Sequence, residues 1–86
     1  MKINERIKLI RITEGFTQSD FADLIGVVSD RSVRMIENGK SEVGSAKIER
    51  ICKRFPEYTL WLMTGKTQPP HQIDPYIRTS KSDKTA

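Results

Sequence analysis

Between Thr17 and Lys40 the chain reads TQSDFADLIGVVSDRSVRMIENGK, two short helices joined by a tight turn and followed by a polar loop. Thr17 is the first N-cap. Its hydroxyl accepts from a free backbone N–H one turn ahead, and Asp20 adds negative charge at the positive end of the helix. Phe21, Leu24 and Ile25 recur at three- and four-residue spacing and make one apolar face. Gly26 suits the left-handed residue that ends the helix. Ser29 caps the second helix, and Asp30 favours the N-terminus that it starts. Val33 and Ile36 turn this helix inward.

At about 100° per residue, Arg31, Arg34, Met35 and Asn38 lie opposite Val33 and Ile36. The second helix therefore packs through a β-branched pair and shows solvent two arginines, an amide and a thioether. A helix of this size fits the DNA major groove, where Arg is the usual bidentate reader of guanine. The pattern alone fits an ordinary solvated face equally well, because exposed arginine is common.

The segments TQSDFADLIG and VSDRSVRMIENGK resemble the helix-turn-helix of the phage repressor/Cro class, the XRE family. The matching pieces are Thr17-Gln18, Ala22, Gly26, Val33 and Ile36-Glu37-Asn38-Gly39-Lys40. The resemblance extends upstream to Arg6–Arg11 and downstream to Leu60–Lys66, so it covers roughly residues 3 to 66. It implies an all-α, compact five-helix, lambda-repressor-like domain over residues 1–66. Residues 67–86 are then a Pro-containing polar tail. The family usually has one residue fewer between the turn glycine and the second helix, so Gly26-Val27-Val28-Ser29 carries an insertion.

Eighty-six residues allow one small domain, with an economical core that a partner subunit could help stabilise. The net charge of +4 favours a polyanion without requiring one. No apolar run approaches the ~20 residues of a spanning helix and no signal peptide opens the chain, so a cytoplasmic protein with no membrane partner is expected. One cysteine, Cys52, and one histidine, His71, speak against a disulfide within the chain and against a zinc site. No cofactor and no metal are expected.

Residues 3 to 13 form the first helix, with Ile3, Ile7 and Ile10 inward, Arg6 and Lys8 outward, and Asn4 as a cap. Gly15 ends it and Phe16 enters the core. The resemblance pairs Arg11 with Glu37, which ties the first helix to the recognition helix as scaffold. It also has the Gln18 side chain bond a DNA phosphate and brace the recognition helix. After the second helix, Gly39 and Gly44 punctuate a loop. Asn38, Lys40 and Ser41 offer donors there, Ser45 or Gly44 caps the next helix, and a helix N-terminus is a ready phosphate site. In the family this loop and helix start grip the DNA backbone. Glu42 opposes phosphate and is expected to point aside.

The fourth helix spans about Ser45–Arg54, with Ile48, Ile51, Cys52 and Phe55 apolar. Cys52 reads as a small core residue. Lys47, in the first turn, reaches towards phosphate, and Arg50, Lys53 and Arg54 read as solvated charge. Phe55-Pro56 closes that helix, and Pro56–Met63 gives a fifth, with Trp61 in the core and Tyr58 or Leu62 offered as a dimer seam. Beyond Lys66, Gln68-Pro69-Pro70 cannot continue a helix, and Ile77–Ala86 is too polar to fold alone. Ile73, Tyr76 and Ile77 leave open a short arm that packs on the domain or on a partner.

The leading expectation is a sequence-specific, double-stranded DNA-binding transcriptional regulator, a repressor of phage or mobile-element type. Its recognition helix, about residues 30–37, lies in the major groove. Asp30, Arg31, Arg34 and Met35 read bases; Gln18, Ser29, Asn38, Lys40, Ser41, Ser45 and Lys47 hold the backbone. A module of this size reads few base pairs, so a homodimer on a near-palindrome is expected, with half-sites about one helical turn apart. The alternative is an antitoxin-like or adaptor module that holds another protein through the tail, with DNA binding secondary. An enzyme is not expected. His71 lies in the tail, and Thr64-Gly65-Lys66-Thr67 lacks the upstream glycine and strand of a phosphate loop.

Overall fold

The structure, a computed structural model, describes residues 1–79. Among the described residues the α-helices up to residue 64 are, in order, α1 (Ile3–Thr13), α2 (Gln18–Ile25), α3 (Asp30–Glu37), α4 (Ser45–Arg54) and α5 (Thr59–Thr64). A 3-10 turn, Pro56–Tyr58, leads into α5, so the expected fifth helix is split into a tight first turn and a regular remainder. Pro56 cannot donate, and its fixed φ suits the first turn of such a segment.

Local chemistry sets the bounds of α2. The Asp20 N–H donates to the Thr17 hydroxyl at 3.0 Å. Gly26 takes φ 77°, which a side chain would strain, and its N–H returns to the Ala22 carbonyl. The cap of α1 is Lys2 rather than Asn4: the Lys2 N–H donates to Glu5 Oε1 at 2.8 Å. Asn4 sits inside the helix and reaches across to the Glu37 carbonyl at 3.1 Å. Gly39, with φ 75°, leaves it that path, since a Cβ there would lie 3.3 Å from Asn4 Nδ2.

Ile7 and Ile10 of α1, Phe21, Ala22 and Ile25 of α2, and Val33 and Ile36 of α3 bury their side chains together. Ile51 of α4 and Trp61 and Leu62 of α5 close the far side. An aromatic run links the elements. Phe16 meets Phe21 and Phe55 edge-on with centroids 6.2 and 5.9 Å apart, and Phe55 leads through Tyr58 to Trp61. Arg54, expected as solvated charge, lies over the Phe55 ring at 4.7 Å. Arg6, expected outward, donates from Nε to the Leu62 carbonyl at 2.9 Å and so ties α1 to α5. Tyr58 and Leu62 are fully buried within the protomer and offer no surface for a dimer seam.

Residues 68–79 lie on the domain. The Ile73 N–H donates to the Glu57 carbonyl, and the Gln72 side chain accepts from Leu60 N–H and donates to the Pro56 carbonyl. Pro75 is fully buried and residues 75–79 are helical, with the Asp74 carboxylate accepting from Ile77 N–H. Arg78 reaches Glu57 at 2.6 Å and Glu14 at 3.7 Å, with its guanidinium 5.3 Å from the centre of the Tyr58 ring. The polar stretch expected over Ile77–Ala86 lies outside the described residues from 80 onward.

The Tyr58 hydroxyl donates to Glu14 Oε2 at 2.6 Å beneath this cluster. Burial raises its pKa above the ordinary 10.0, and the Glu14 carboxylate adds to the rise through that bond and its charge. The folded phenol thus keeps its proton at a pH where the unfolded chain has lost it. The unfolded state then binds fewer protons, and stability falls as pH rises above about 10. Tyr58→Phe removes this group, so the stability advantage of the wild type over the variant shrinks between pH 9 and pH 11 in urea unfolding. At pH 7 the variant loses roughly 1.5–3 kcal/mol, the worth of a hydrogen bond to a charged partner.

Candidate nucleic-acid interface

Glu37 is the last residue of α3 and is 5% exposed. A carboxylate in that position is costly unless it is paired and hydrogen-bonded. Arg11 of α1 meets it bidentately, Nε to Oε2 at 2.6 Å and Nη2 to Oε1 at 3.2 Å. Arg11 Nη1 also donates to the Phe16 carbonyl at 2.9 Å. Gln18 Nε2, at the start of α2, donates to Glu37 Oε1 at 3.2 Å. One carboxylate therefore gathers α1, α2 and α3 and sets the pose of α3 on the domain.

With that pose, Val33 and Ile36 are buried and Arg31, Arg34 and Asn38 are exposed. The residues expected to read bases do not stand alike. Arg31 is exposed and makes no ion pair among the described residues. Arg34 lies 3.5 Å from Asp30 one turn earlier, both about half exposed. Such a pair is worth little in water, and its members are readily exchanged for other partners. Met35 is half-buried, and its carbonyl accepts the N–H groups of Lys40 and Ser41, which folds the loop back against α3.

The residues expected on the backbone lie at the starts of α2, α3 and α4 and in the loop after α3. Ser29 occupies the N-cap position of α3, but its hydroxyl makes no capping bond there and stays available. Asn38, Lys40, Ser41 and Ser45 are exposed, and Lys47 is half-buried. Gly44 is the N-cap of α4, with Ser45 its first residue. The first amides of that helix point out of it without intrahelical acceptors. Gln18 differs from the others, since its amide already serves Glu37.

Between the α2–α3 turn and α4 lies an open cleft of about 400 Å³, lined by Val27, Val28, Ser32, Ser41, Glu42 and Lys47 among others. Glu42, expected to point aside, lines it together with Lys47. Arg50 of α4 brings its guanidinium over Gly26, 3.0 Å from where a Cβ would stand. Gln18 braces α3 through Glu37, as the resemblance implies. Sequence reasoning missed the second tasks of Asn4 and Arg50, because only the packing of α1 and α4 on the α2–α3 unit creates them. Among the described residues no three His, Cys, Asp or Glu side chains are grouped to hold a metal ion. None of the described helices is long and apolar enough to cross a membrane.

Arg11→Ala leaves Glu37 buried without its main partner and is expected to cost roughly 3–5 kcal/mol. Replacing both members with methionine removes the stranded charge and restores much of that loss. Urea unfolding of the single and double variants checks this. A single-variant cost under about 1 kcal/mol would show that the pair does not set the pose of α3.

The helix-turn-helix family matches residues 7–62 of the chain. Antitoxin PezA of Streptococcus pneumoniae serotype 4 (strain ATCC BAA-334 / TIGR4) is 40% identical over 53 residues, 62% of this chain. The chain spans about a third of that relative's length, 33%.

Proposed function

The chain belongs to the helix-turn-helix family, of the Cro/repressor type, and from that premise we propose that it is a sequence-specific regulator acting on double-stranded DNA as a repressor. The observation that carries this reading is the division of α3. Its apolar side is sealed into the core while Arg31, Arg34 and Asn38 face out, and the exposed donors Lys40, Ser41 and Ser45 follow in the loop after α3 and at the start of α4.

In this reading α3 enters the major groove. Arg31 takes the bidentate edge of a guanine, and Arg34 exchanges Asp30 for a second base. Asp30 then accepts from a cytosine amino group, and Met35 meets a thymine methyl. Ser29, Asn38, Lys40, Ser41, Ser45 and Lys47 hold phosphates, which position the protein without carrying sequence information. Gln18 serves two partners, Glu37 and a phosphate, so backbone contact bears directly on the network that poses α3. A homodimer on an inverted repeat completes a site too short for one module, with half-sites about one turn apart. The chain carries out no catalysis in this account.

A second reading has its own support in the likeness to an antitoxin. There the chain holds a partner protein, and DNA binding serves that complex. The exposed Tyr76 on the packed tail segment is a contact available for it.

Selection of duplexes from a random pool at near-physiological salt is the first test, and enrichment of an inverted repeat is the expected result. Arg31→Ala then relaxes base choice at one position, a loss of about 1–3 kcal/mol in discrimination. Lys40→Ala weakens all duplexes alike and lowers the salt slope by about 1. Lys40 serves better than Gln18 here, because Gln18→Ala also disturbs Glu37. Binding that enriches no sequence and vanishes as salt rises is nonspecific electrostatics, and it transfers the case to the partner-holding reading.

A further inference from the structure

We propose that Val28 is a specificity-determining residue that packs on the C5-methyl group of a thymine next to the bases addressed by α3. The inference rests on the regulator reading above.

Val28 is 99% exposed, while its neighbour Val27 packs against the core. A β-branched side chain so placed contributes nothing to folding through burial. Position gives it a use. It stands two residues before α3, three before Arg31, and Ser29 between them is extended with φ −157°. That extended link carries Val28 off the core-facing side of the turn and onto the lip of the cleft shared with Ser32, Ser41 and Lys47. Ser41 and Lys47, assigned above to phosphates, line the same cleft, so a duplex that they hold runs beside Val28.

The chemistry narrows the ligand. Val28 has no polar atom to offer a donor or acceptor on a base. The apolar group on the major-groove edge of DNA is the thymine methyl, and a short aliphatic side chain is its usual partner. A β-branched side chain has few rotamers, so fixing it against that methyl costs little entropy. The backbone at Val28 is ordinary: no residue other than glycine has positive φ among the described residues. Substitution there leaves the turn unstrained.

The test uses the whole chain and the duplex that it selects. Each thymine of the half-site is replaced in turn by deoxyuridine, which removes the methyl and keeps the base's hydrogen-bonding groups. For the wild type, one replacement is expected to weaken binding roughly fourfold, the worth of burying about one methyl group. For Val28→Ser the same replacement changes nothing, and selection no longer prefers thymine at that position. The urea midpoint of the variant stays at the wild-type value because the side chain is solvated in both states. A uracil penalty that persists in Val28→Ser, or an unchanged base preference, overturns the proposal while the regulator reading stands. A wild-type chain that selects no sequence overturns the regulator reading and this proposal with it.

Discussion

The carboxylate of Glu37 organises this domain. It sits at the end of α3, nearly sealed from solvent, and such a charge is tolerated only when its oxygens are occupied. Arg11 and Gln18 occupy them, and Asn4 takes the backbone carbonyl of the same residue. These partners come from α1 and the start of α2. The helix that shows Arg31 and Arg34 to solvent is thereby held at its C-terminal end by polar bonds and along its length by Val33 and Ile36. Hydrophobic contact alone would let α3 slide or turn on its neighbours. The bidentate geometry does not, because a guanidinium fork meets a carboxylate in few orientations.

The far side of the molecule shows a related device. Arg78 brings the segment after α5 back to Glu57 and Glu14, over the ring of Tyr58. Glu14 is the residue that follows α1, so this cluster holds the C-terminal end of the same helix whose Arg11 reaches Glu37. A small core gains from such closures, since a short chain buries a modest share of its surface. The polar ties are thus placed where helices end. The apolar core carries the middle, and the exposed face of α3 stays clear for a ligand.

Much of the helix-turn-helix unit was legible in the chain because its signals are local. Thr17 with Asp20, Gly26 after Ile25, and the spacing of Phe21, Leu24, Ile25, Val33 and Ile36 each act within a turn or two of themselves. The candidate surface was legible in part for the same reason: what α3 does not bury, it shows. The errors are as instructive. Asn4 reads as a cap and is a cross-helix donor; Arg6 and Arg54 read as solvated charge and serve the α5 carbonyl end and an aromatic ring. The acceptors of Asn4 and Arg6 lie 33 and 56 residues along the chain, and no short window contains both partners; Arg54 sits beside Phe55 in sequence, but only the backbone turn at Phe55 lays its guanidinium over that ring.

By itself, the sequence determined where α2, α3 and α4 start and stop, which of their faces are apolar and that α3 presents arginine. Capping, left-handed glycine and periodicity are short-range effects, decided by residues in the same turn. Tertiary structure decided which polar groups are spent inside the molecule and which remain for a partner. Asn4, Arg6 and Gln18 find acceptors 33, 56 and 19 residues away. Val28 finds nothing and stands in solvent at the mouth of a cleft. A side chain's availability depends on what the rest of the chain brings up to it, and only the packed helices set that.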